Sequence, residues 1–332
     1  MIKMNNNISF NIIDLVKDSY GAYINNTFIV FQSINNLLIL VYSNQKSIST
    51  FNIIDKQKIN EIRNAHDEFI SNFRYFFDKN NKRDLIISIS PSDNNLKLWN
   101  INSCQCLINF RNINRNGILL SACFLNYNNN NFIISSNSNN KNGKSCDPLQ
   151  VFDFNGYKIK EINDSNCYTY FVDIYYDKIS LITYIITGNK GAIRSYNYNS
   201  NKIYHKYYDN NNKNHYNIII YQSKDKLIEL IESSSDGNIR IWDFHSGVLL
   251  NNIKVNNASL LGICLWNEDH LLVGCSNNNV KMIELNNKLN IKDLVDINDV
   301  ITIKTIKHYK YGECVISQGN YNNSIQLWKM QT

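Results

Sequence analysis

Residues 227–254 read LIELIESSSDGNIRIWDFHSGVLLNNIK, and this stretch decides the fold. A β-rich run over 227–233 leads into Asp236-Gly237. Ile239, Ile241 and Phe244 then mark a second strand, and the polar turn 245–247 leads to a third over 248–254. Asp-Gly between two alternating runs is a strong hairpin signal, because the left-handed conformation that a tight turn needs costs glycine nothing.

The unit recurs outward in both directions. DLIISISPSDNNLKLWNINSCQCLINF ends its middle strand at Trp99, and CVISQGNYNNSIQLWKM ends its middle strand at Trp328. Degenerate copies carry Phe51, Phe152, Tyr196 and Ile283 at the same place. The seven anchors lie 41 to 53 residues apart, close to the roughly 40–45 residues of a four-stranded propeller blade. A further β-rich run precedes each copy: 27–32, 118–124, 168–176, 217–223 and 260–266 are examples. That makes four strands per repeat, and no long segment has helical period.

Trp242-Asp243, six residues after Asp236, resembles the signature of the WD40 repeat, and Trp99-Asn100 stands at the same distance from Asp93. The resemblance implies an all-β, seven-bladed propeller of four-stranded blades over residues 1–332. It is specific in one repeat, good in two more and weak in four. It also implies a structural network of a histidine before the blade, a turn aspartate and the strand tryptophan. Here that predicts His66 with Asp93 and Trp99, and His215 with Asp236 and Trp242; Trp328 is the third structural tryptophan. Two departures stand against the networks. The glycine usual before the histidine is Ala65 or Asn214, and the usual strand serine reads as out of register near Ser88 and Ser90. Turn glycines are often replaced by asparagine, as at Asn277 and Asn322, a residue that tolerates the left-handed region.

The last repeat stops four residues after Trp328, one strand short, while residues 8–13 (ISFNII) form one strand too many before the first blade. An uncovered edge exposes unpaired backbone groups. The N-terminal strand is therefore predicted to close the ring against the strand holding residues 325–328.

Chemistry-bearing patterns are few. Asp243, His245 and Ser246 fall within one turn, where neighbours cannot take up a nucleophile–base–orienter geometry. There is no glycine-rich phosphate loop, no metal-ligand spacing and no Cys-x-x-Cys among the eight cysteines, so buried reduced thiols are expected. Neither the Phe-Arg-Arg-Gly loop of WD40-like phosphoinositide binders nor the Trp-Asp-x-Arg of cullin-ligase receptors is present: the nearest strings are Phe73-Arg74-Tyr75 and Phe110-Arg111-Asn112, and His245 stands where the arginine would. No enzyme activity, cofactor or metal is expected. The net charge of +6 is spread over the chain rather than gathered in a stripe. Without an apolar run of eighteen residues or a secretory signal, the expectation is a cytoplasmic or nuclear protein not inserted in a membrane. The resemblance implies a protein–protein interaction scaffold with other proteins as partners. The alternative is a nucleic-acid-associated propeller in an RNA-processing or chromatin complex. The excess length of the third repeat, SSNSNNKNGKSCDPL, joins its second and third strands. It is the candidate partner-binding loop, with Asn137, Lys141, Lys144 and Asp147 as contact residues, against the simpler reading of an asparagine-rich insertion.

Overall fold

The computed structural model describes residues 10–17, 27–111, 118–136, 148–163, 169–208, 213–223, 226–266, 269–277, 279–286, 290–296, 300–319 and 324–330. These form seven antiparallel four-stranded sheets, the blades of a β-propeller. In chain order blade 1 spans 28–62, blade 2 72–111, blade 3 122–162, blade 4 169–207, blade 5 215–254 and blade 6 260–296. Blade 7 combines 300–330 with the strand Phe10–Val16. Among the described residues no helix is long and apolar enough to cross a membrane.

The anchors recur at one register. Phe51, Trp99, Phe152, Tyr196, Trp242, Ile283 and Trp328 each sit on the third strand of a blade, opposite Leu40, Ile86, Ile133, Ile185, Leu230, Leu271 and Val315 of the second. In blades 1 to 5 the pairing of the third strand with the outermost shifts immediately before the anchor. Such a bulge adds local twist and re-aims a bulky ring.

Every sheet has two apolar faces, and each packs on the next blade. Among the described residues the buried apolar side chains divide into seven clusters. One joins blades 1 and 2, and the others follow round the ring. The last joins blades 7 and 1 through Val16, Phe28, Leu40, Ile316 and Leu327. This is why strands that read as alternating are buried nearly throughout, as in Arg83–Ser90 and Ile228–Ser234.

Closure follows the strand count. Phe10–Val16 runs antiparallel to Ile325–Met330, with Ile12 opposite Trp328 and Ile13 opposite Leu327. The strand extends further toward the C-terminus than the predicted 8–13, because Val16 still meets Ile325 and packs into the closing cluster. A second boundary moves as well. The innermost strand of blade 3 is Ala122–Tyr127 rather than 118–124, since Leu119 is drawn into the cluster between blades 2 and 3 before pairing begins.

Asparagine does serve the turns. Among the described residues, half of the twelve non-glycine residues with positive φ are asparagines, Asn36, Asn94 and Asn201 included. Asn277 lies in the turn after His270–Cys275, and Asn322 lies outside the described residues. Glycine is required at Gly237, where φ is +79° and a Cβ would come within 2.0 Å of the Asn256 carbonyl oxygen.

Candidate functional site

The segment between blades 1 and 2 delivers His66 under the second strand of blade 2, where it is buried. Trp99 Nε1 lies 2.8 Å from Ser88 Oγ, which lies 2.7 Å from His66 Nε2, and His66 Nδ1 lies 3.3 Å from an Asp93 oxygen. One assignment satisfies every atom. The indole N–H donates to Ser88, the hydroxyl donates to a neutral imidazole, and Nδ1–H donates to Asp93. The backbone N–H groups of Asp67 and Asn95 also donate to that carboxylate, at 3.1 and 3.0 Å. Burial holds the imidazole below its usual pKa, against the pull of Asp93. Burial pushes the Asp93 carboxyl upward, but its donors prevail and leave it below the usual range. The strand serine expected out of register is Ser88, in register after all: the longer turn that begins at Pro91 carries Asp93 back over the blade.

A serine, histidine and aspartate so placed share the geometry of a hydrolase triad. Ser88 has no exposed surface, however, and its oxygen already accepts the indole N–H. The arrangement ties a blade together and offers no nucleophile to a substrate.

Blade 5 is built differently from the expectation. Its turn is one residue shorter, and Glu232 occupies the position of Ser88 while Arg240 occupies that of Lys97. His215 Nδ1 bonds Glu232 rather than Asp236. Arg240, fully buried, bridges Glu232 at 3.1 Å and also pairs with Asp236. Burial raises the Asp236 pKa, yet Arg240 holds it below the carboxylate range. The Trp242 indole N–H finds no hydrogen-bond partner among the described residues, and its ring packs against Tyr207, 6.0 Å away. His215, Asp236 and Trp242 therefore do not form the predicted network. A carboxylate at the serine position draws the histidine and an arginine into an ionic one. Trp328 is buried between blades 6 and 7.

The chain turn of residues 243–247 connects strands. Asp243 caps it by accepting the Ser246 N–H at 2.6 Å, and His245 contacts Tyr204 and Asp177. Among the described residues no cluster of metal-binding side chains occurs. Of the six described cysteines four are buried, but Cys104 and Cys106 are not. The candidate loop residues Asn137, Lys141, Lys144 and Asp147 lie outside the described residues. The strands flanking them, Asn130–Ser135 and Leu149–Asp153, are the second and third of blade 3.

Sequence reasoning passed over one surface. The turn between the first two strands of blade 4 reads Lys178-Ile179-Ser180-Leu181. Ile179 is 84% exposed and Leu181 69%. Leu181 also holds φ at +57°, a conformation that costs a leucine roughly 1–2 kcal/mol. Beside it a cleft of about 260 Å³ runs between blades 4 and 5, lined by Tyr176, Ile179, Tyr221 and Ile228. Leu227 adds a further exposed apolar side chain at the neighbouring turn. A signal was present in the sequence: in a chain whose turns are rich in asparagine, this one is apolar.

No protein-family model matches the chain, and no curated protein matches it. The fold itself defines the class: this is a seven-bladed β-propeller of four-stranded blades.

Proposed function

We propose that this chain is a non-catalytic WD40-type scaffold that binds another protein through the apolar turns of blades 4 and 5. The WD40 assignment is supported by the His66–Ser88–Asp93–Trp99 arrangement and by Trp242-Asp243. The observation that carries the binding reading is the exposed pair Ile179 and Leu181 beside the cleft between blades 4 and 5. A closed ring can present such a patch rigidly, so little ordering cost accompanies binding. Burying two aliphatic side chains supplies roughly 1.5–3 kcal/mol each. The strained leucine conformation is explained if its side chain contacts a partner, since asparagine or glycine would serve the turn better.

The test is capture of partners by the full chain, with and without nuclease, for wild type and Ile179→Asp. Proteins retained after nuclease and moderate salt, and lost by about tenfold or more in Ile179→Asp, support the reading. Capture unchanged in Ile179→Asp removes this surface. Capture abolished by nuclease or steeply by salt supports the nucleic-acid-associated alternative.

A further inference from the structure

The common register of the blades places one residue of each innermost strand at the same height around the axis. It is the residue opposite the position that follows the anchor's partner. In blades 2, 3, 4, 6 and 7 it is Arg74, Cys123, Asp173, Cys264 and Lys304; in blades 1 and 5 it is Ile29 and Ile219. Five of the seven positions therefore carry ionisable side chains in a single layer. A cavity of about 600 Å³ lies against this layer, walled by the inner strands of blades 1, 2, 4, 5, 6 and 7.

Among the described residues the cations of the layer lack counter-charges at contact distance: neither Arg74 nor Lys304 has a carboxylate within 4.0 Å. Arg74 leans over the ring of Phe171 in blade 4, 5.6 Å from its centroid, and its Nε is buried without a hydrogen-bond partner among the described residues. Enclosure lowers the Lys304 ammonium to about 8, and the Arg74 guanidinium pushes the same way harder than Asp173 pulls back. Two cations thus face the cavity with one carboxylate, and the stronger influence on each other is repulsion. Most of the remaining wall is aliphatic, with Ile174, Ile218, Ile220 and Leu265 among it. An apolar cavity of this size with a few convergent polar groups is the usual form of a small-molecule site. A single negative charge closes the balance; a doubly charged head would leave an excess facing Asp173.

We propose that the axial cavity binds a small organic carboxylate, its head held by Arg74 and Lys304 and its hydrocarbon body lying on the isoleucines of blades 4 and 5. Calorimetric titration of the full chain with octanoate, and separately with phenyl phosphate, tests this. Octanoate is expected to bind with a Kd below about 1 mM. Arg74→Met and Lys304→Met are each expected to weaken it by about tenfold or more, because each removes a charge-assisted contact. Asp173→Asn is expected to tighten it severalfold by removing a like charge. Acetic anhydride labelling of Lys304 in the wild-type protein, read by mass spectrometry, gives a measurement that needs no variant to fold: octanoate should slow it. Absence of octanoate binding, equal binding by both methionine variants, or no protection of Lys304 overturns the proposal. Phenyl phosphate binding tenfold tighter than octanoate overturns the carboxylate assignment.

Discussion

Glu232 stands where blade 2 has Ser88, and that exchange decides how each blade is tied. In blade 2 the chain of neutral donors ends on one carboxylate, and Ser88 is its hinge. Ser88→Ala leaves a buried indole N–H and an imidazole nitrogen without partners, and should cost about 1–3 kcal/mol in a denaturant melt. In blade 5 the same position holds a buried charge. Glu232→Gln leaves Arg240 half-compensated and should cost more, about 3–5 kcal/mol, the range for breaking a buried pair. The blade 2 network also responds to pH. Because burial depresses the His66 pKa in the folded protein, the unfolded chain binds its proton first as pH falls. Stability should therefore decline below about pH 6.5, levelling out once the folded protein is protonated as well. His308, also depressed by burial, adds to the same trend. Melting temperatures from pH 8 to 5 should show a shallower acid decline in His66→Asn than in wild type; equal slopes would place the proton elsewhere.

At the scale of strands and turns, the anchor residue seals each blade against its neighbour. Trp242 packs with Tyr207, Phe244 and Leu230 between blades 4 and 5, its indole N–H without a partner among the described residues. Its role is volume, so Trp242→Ala should cost roughly 3–5 kcal/mol, and a melt unmoved by the change would take Trp242 out of the core. The turn at 178–181 works the other way. Leu181→Asn relieves the left-handed leucine and should raise stability by about 1 kcal/mol while lowering partner capture, a pairing of effects that a merely structural turn would not produce. If Leu181→Asn stabilises the chain without any loss of capture, the turn is only strained.

The molecule as a whole is a ring, and it is closed at the seam between Phe10–Val16 and Ile325–Met330. Blade 7 takes three strands from residues 300–330 and the fourth from Phe10–Val16, whose Val16 and Ile13 pack with Phe28 and Leu40 of blade 1. Removing residues 1–16 uncovers the edge of Ile325–Met330 and one face of the closing cluster. The truncated chain should melt at a lower temperature in one broadened transition that includes blades distant from the seam. An unchanged main transition with only a lost minor one would show that the strand is an appendage.

The repeat, the four strands in each unit, the seven anchors and the missing closing strand were all legible in the residues, because strand alternation and turn chemistry are local and recur with the chain. Asp93, His66 and Trp99 were legible for the same reason. The fate of His215 was not: Glu232 takes the register of Ser88, and that the histidine meets this carboxylate rather than Asp236 depends on how strand and turn are placed in three dimensions. The turn at 178–181 stands out as apolar in an asparagine-rich chain, but its exposure was not decided there, since an apolar turn residue looks the same in sequence whether a neighbour covers it or solvent does. The layer of Arg74, Asp173 and Lys304 belongs wholly to the tertiary structure. These residues are some hundred positions or more apart in sequence, and only the closure of seven equal registers about one axis brings their charges to the same height.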